Sequence, residues 1–119
     1  MSRWLLLLVI GCSTPSLPSP PIIDSLDMPT TATLDAMGKA TLTGMVQFHD
    51  SDDNVTTVVT RIPATNQSTS GSIPPQSVGI VGISLQLSGT KGSSVDYEIT
   101  LVDKSGLSSA PAKRSVTFN

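Results

Sequence analysis

In the stretch KATLTGMVQFH, Ala40, Leu42, Val46 and Phe48 occupy alternate positions, with Gly44 in phase between them, while Thr41, Thr43, Met45 and Gln47 fill the gaps. Successive side chains of an extended chain point to opposite faces of a sheet. A period of two therefore describes a strand with one face in a core and one in solvent. VDYEITL repeats the pattern, with Val95, Tyr97, Ile99 and Leu101 on one face and Asp96, Glu98 and Thr100 on the other. So do Val81, Ile83, Leu85 and Leu87 within residues 78–87. A helix needs apolar residues three and four apart, and no stretch sustains that spacing. The acids agree, since eight of the nine are Asp and only Glu98 is Glu. Asp competes with helical hydrogen bonding and favours turns and caps. The expectation is an all-β chain.

The remaining segments fit between these strands. VTTVVTRI, residues 55–62, is rich in β-branched residues and reads as a strand. HDSDDN before it, residues 49–54, is a cluster of turn formers. PATNQSTSGSIPP, residues 63–75, reads as a polar, proline-bounded loop with room for a short edge strand. Gly79 and Gly82 are expected at β-bulges, and SGTKGSS is a turn. Asp103-Lys104-Ser105-Gly106 suits a type I turn, with Asp first and Gly fourth. Residues 112–119 close the chain as a strand with Val116 and Phe118 in phase. TTATLDAMGKA, residues 30–40, is compatible with a short strand or a helical turn. The expected core is Leu42, Val46, Phe48, Val81, Ile83, Leu85, Tyr97, Ile99, Leu101 and Val116. Short strands at this spacing across residues 22–119 describe an antiparallel β-sandwich of about seven strands.

The first 21 residues are of another kind. Arg3 precedes seven apolar residues, Trp4 to Ile10, too few to span a bilayer in a helix, which takes about 20. They suit the apolar region of a secretory leader. Val9-Ile10-Gly11-Cys12 then resembles the lipobox of bacterial lipoproteins. That resemblance implies cleavage after Gly11 and acylation of Cys12, the only cysteine in the chain. Residues 1–11 are then a signal peptide, and Cys12 is the lipid-attachment residue. Residues 13–21, STPSLPSPP, hold four prolines. Proline fixes φ and removes backbone donors, so residues 12–21 form an anchored tether, reaching about 28 Å at about 3.1 Å per residue. The resemblance places the protein in a bacterial cell envelope, held to the membrane by lipid. Ser13 after the cysteine, where Asp would retain it in the inner membrane, directs it to the outer one.

PPIIDSLDMP, KATLTGMVQFHDSDDNV and VDYEITLVDKSGLSSAPAKRSVTF together resemble the bacterial immunoglobulin-like domains of surface proteins, with their PKD and fibronectin type III relatives. Tyr97, Asp103, Gly106 and Ser115 to Phe118 fill the places of that family's tyrosine-bearing strand, acidic turn and closing strand. The paired cysteines and core tryptophan of antibody-type domains are absent from the sequence. The resemblance implies that residues 22–119 form an immunoglobulin-like β-sandwich.

Function is read by elimination and by one cluster. The formal charge is -2 and the seven basic residues are scattered, which is no footprint for nucleic acid. One Tyr, one Trp and two Phe make no stacking platform. Ser88-Gly89-Thr90-Lys91 and Lys104-Ser105-Gly106 match motifs of penicillin-recognising enzymes, but both fall in expected turns where that family has a helix and a strand. His49 is the only histidine and sits at a strand end. No enzyme and no cofactor is expected. The sequons at Asn54 and Asn66 are incidental in a bacterial lipoprotein. The reading is a non-catalytic structural or protein-interaction module, with an envelope protein as partner. The alternative is a Ca²⁺-dependent adhesion or ligand-binding module. In an immunoglobulin-like sandwich Asp50, Asp52 and Asp53 would meet Asp103 at one end, with Asp24 or Asp27 nearby, and Ca²⁺ would relieve their repulsion. Against it, HDSDDN lacks the spacing of an EF-hand loop.

Overall fold

The computed structural model describes residues 18–119. Trp4 to Ile10, the lipobox and Cys12 lie outside the described residues. Eight strands follow in order: β1 (Ile22–Asp27), β2 (Thr31–Ala32), β3 (Lys39–His49), β4 (Val55–Ile62), β5 (Gln67–Gln76), β6 (Val78–Ser88), β7 (Ser94–Asp103) and β8 (Ala112–Phe118). They make two sheets, one ordered β1-β3-β6 and the other β2-β8-β7-β4-β5. Every pairing is antiparallel except β2 with β8, where Thr31 and Ala32 run parallel to Thr117 and Phe118. The fold is an all-β sandwich, with one strand more than the expected seven.

The alternation in the sequence is what closes it. All ten expected core residues are buried, and Leu26, Ala40, Val55, Leu87 and Phe118 join them in one cluster between the sheets. Thr41, Thr43, Met45 and Gln47 face solvent on β3, as does Asp96 on β7. A fully buried Val, Leu, Ile or Phe contributes about 1.5–3 kcal/mol, so these two phased strands carry much of the fold's stability.

Three sequence readings are corrected or settled. The loop expected over residues 63–75 is a four-residue turn, Pro63 to Asn66, followed by the ten-residue edge strand β5. Asn66 takes the left-handed conformation that reverses the chain, with φ 55. β5 pairs with β4, and of its ten residues only Ile73 and Gln76 are even partly buried, so its sequence never needed a period of two. The bulges expected at Gly79 and Gly82 are absent, for β3 and β6 pair without interruption from Lys39 with Ser88 to His49 with Val78. At Gly79 the missing side chain leaves room for the end of Gln76. Residues 30–40 form the short strand β2 and then a turn in which Gly38 N–H donates to Asp35 O at 3.0 Å.

Candidate functional site

The loop after β3 and the turn after β7 lie together at one end of the sandwich. Val55 pairs with Asp103 across β4 and β7, and Lys104 N–H donates to Asn54 O at 2.8 Å. Asp50 is fixed by its own backbone, which donates to Ser77 O at 2.6 Å. Its Oδ1 accepts the N–H groups of Asp52 at 3.0 Å and Asp53 at 3.2 Å, an Asx-type turn. Asp103 does the same for its own turn. Its Oδ1 accepts Leu107 N–H at 2.9 Å and its carbonyl accepts Gly106 N–H at 3.0 Å. Gly106 has φ 89, a conformation that glycine adopts at no steric cost.

Each carboxylate thus spends one oxygen on a loop and has one left over. Asp50 is 4% exposed and Asp103 2%, and the Oδ2 atoms of both are enclosed without a hydrogen-bond partner. The two groups face each other. Burial pushes the Asp50 carboxyl above the ordinary range, and the adjoining Asp103, by hydrogen bond and by charge, adds to it against the pull of the Asp52 N–H. With both carboxyls ionised, two like charges would share an enclosed space in which each Oδ2 lacks a donor.

The other acids have turned elsewhere. Asp52 accepts Ser19 N–H, Ser19 Oγ at 2.8 Å and Ser51 Oγ at 3.1 Å, and the Ser19 backbone bond is the chief reason its pKa is lowered. Asp53 accepts Ser105 Oγ at 2.5 Å and Asn54 N–H at 2.8 Å, and the Ser105 bond does most to lower its pKa. Asp24 lies 2.9 Å from Nδ1 of His49, which sits half-buried at the end of β3. Asp27, at the far end of β1, is opposite Met45. Of the acids expected to converge, only Asp50 and Asp103 do so. Among the described residues no three His, Cys, Asp or Glu side chains gather closely enough to hold a metal ion.

Sequence reasoning missed Ser19 and Ser105. Ser105 is in the Asp-x-Ser-Gly turn and could have been paired with an acid of the facing loop. Ser19 sits among prolines, where nothing marks a docking residue. It ties the segment before β1 to the domain, and Pro21 nearby is fully buried. The two enzyme-like motifs are far apart. Ser88 pairs with Lys39 at one end of the β3–β6 ladder, whereas Lys104-Ser105-Gly106 belongs to the other end. Ten steps of strand, about 33 Å, separate them.

The two sheets make an immunoglobulin-like β-sandwich, with two enclosed carboxyl groups at one end. Among solved structures the chain is similar to the PKD domain of an M14-like peptidase from a Thermoplasmatales archaeon. That likeness has a TM-score of 0.57 and 17% identity, and covers 86% of this chain and 98% of that one. It is also similar to the PKD1 domain of Epp from Vibrio anguillarum, with a TM-score of 0.51 and 13% identity, over 87% of this chain and 100% of that one. A looser likeness, with a TM-score of 0.44 and 14% identity, is to a CARDB domain from Pyrococcus furiosus, over 89% and 97%. No protein-family model matches the sequence, and no curated protein does.

Proposed function

We propose that the chain is a lipid-anchored protein of the bacterial cell envelope, whose immunoglobulin-like sandwich serves as a non-catalytic structural or protein-interaction module. The observation that carries this reading is the use made of the polar residues at the loop end. Asp50, Asp52, Asp53, Asp103, Ser19 and Ser105 are engaged with one another and with their own loops, which organises a fixed surface. The likeness to PKD domains, one of them a domain of a peptidase, supports an accessory role. The lipobox-like Val9 to Cys12 supports the anchor. Labelled palmitate should be incorporated into the full chain and the mature protein should partition into detergent. Cys12→Ser should abolish both. An unlipidated chain that keeps Met1 in native membranes would overturn the anchor.

The calcium-dependent reading has one observation in its favour, the unpartnered oxygens of Asp50 and Asp103. Ca²⁺ takes 6–8 oxygen ligands, and Asp52 and Asp53 are held by Ser19 and Ser105. Melts of the full chain in millimolar Ca²⁺ and in chelator should therefore superimpose. A site filled at 100 times its Kd would separate them by about 2.7 kcal/mol.

A further inference from the structure

Each sheet ends in edge strands, and an edge presents unpaired backbone donors and acceptors to any extended chain that meets it. Three of the four edges here are defended. β1 has a register shift between Ile23 and Ser25 and carries Asp24 and Asp27. β2 is two residues long. β5 contains Pro74 and Pro75 and shifts register against β4 beside them. β6 has none of these devices. It is eleven residues long, VGIVGISLQLS, with no proline, no bulge and no charge, and among the described residues it pairs on one side only, with β3.

Two further observations say what covers it. From Ile62 to Thr90 the chain has no ionisable side chain, so the flank made by β5 and β6 is uncharged, although the protein carries sixteen charged side chains elsewhere. A charged partner finds nothing to pair with there. A two-fold copy of the same flank meets no like charge, whereas any charge on the strand would be brought near its own image. The core also leaks at this edge. Val81, Ile83 and Leu85 keep 9%, 6% and 8% exposure, against none for Tyr97, Ile99 and Leu101 on the central β7. Beside them Val78 and Ile80 stand 67% and 59% exposed.

We propose that β6 is a self-association edge, at which two copies of the chain pair antiparallel about a two-fold axis and merge their three-stranded sheets into one of six. The pairing is a property of the sandwich and does not depend on the anchor at Cys12. In the merged sheet the partner's β6 supplies hydrogen bonds to the open side of the strand and covers the crevice that Ile83 and Gly82 share with Val58, Thr60 and Ile73.

Sedimentation of the full chain in density-matched detergent should give twice the protein mass of one chain. Ile80→Lys with Ser84→Lys, both at exposed positions, should return it to the mass of one with its circular dichroism unchanged. For the case in which that double variant fails to fold, single cysteines in a Cys12→Ser background decide the matter. A short bis-maleimide should bridge two copies of Ser84→Cys and leave Ser25→Cys, on the opposite edge strand β1, unbridged. A single-chain mass at every concentration, a dimer that survives both lysines, or bridging absent at Ser84→Cys or equal at the two positions would each overturn the proposal.

Discussion

Asp103 ends a strand and opens a turn, a place where carboxylates usually meet water, yet it is as enclosed as the core leucines. The enclosure has a consequence for pH. Because burial and the nearby Asp103 raise its pKa, the Asp50 carboxyl binds a proton more tightly in the folded chain than in the unfolded one. Its stabilising contribution is complete in acid and is lost as pH rises through the folded pKa. Asp35, Asp52 and Asp53 act in the opposite sense. Their lowered pKa values reflect hydrogen bonds accepted by the ionised form, for Asp35 chiefly from the Lys39 N–H, and that stabilisation disappears as pH falls below the ordinary range. The melting temperature should therefore climb as pH drops toward the ordinary carboxyl range and fall again below it. Asp103→Asn removes the neighbouring carboxyl and gives Asp50 an amide donor, so it should flatten the upper limb and leave the acid limb in place. An unchanged upper limb would show that Asp103 does not raise the Asp50 pKa. The core offers a simpler contrast on one strand. Ile99→Ala should cost about 2–5 kcal/mol in a denaturant melt, and Asp96→Ala less than about 0.5 kcal/mol. That contrast was legible in the sequence, because alternation assigns every residue of β7 a face. The carboxyl pair was legible only as two acidic turns at one end. Which acids would meet and which would turn to Ser19 or Ser105 depended on loop geometry that no period records.

Strands that bury one face announced themselves, and β5 did not, because a strand that tucks in little more than Ile73 has no reason to alternate. Its serines and threonines, with two prolines, look like a loop until a partner strand is beside them. The glycines of β3, β5 and β6 also differ in ways that sequence cannot separate. On β3, a side chain at Gly44 would strike the carbonyl oxygen of Asp27 and Met28 Sδ, where the chain leaves β1. On β5, Gly71 has nothing within 4 Å of where a Cβ would be. Gly44→Ala should destabilise by about 1–3 kcal/mol through overpacking. Gly71→Ala should be neutral or stabilising by up to about 1 kcal/mol, since glycine is a poor strand residue on entropic grounds. Equal melting temperatures for the two variants would mean that β1 does not press on β3 at Gly44.

Taken whole, the sandwich holds its two chain ends apart. Ile22 lies opposite His49 at the acidic end, while Phe118 donates to Ser93 O at the other. The segment before β1 is seated on the acidic end through Ser19 and Pro21. Ser19→Ala should leave core stability within about 0.5 kcal/mol and speed proteolysis between Ser19 and Ile22, with equal cleavage rates counting against the docked segment. The parallel pairing of β2 with β8 gives this arrangement a mechanical meaning. Thr117 N–H donates to Thr30 O and Asn119 N–H to Ala32 O, both at 2.9 Å, and Arg114 Nη2 donates to Leu26 O at 3.1 Å. Tension between residues 18 and 119 draws β2 backward and β8 forward along one line. Every bond between them is then loaded at once. Handles at Thr65 and Asn119, on the same end, would peel the sheet pair by pair. A single molecule stretched from end to end should hold to a higher force than one peeled from its side.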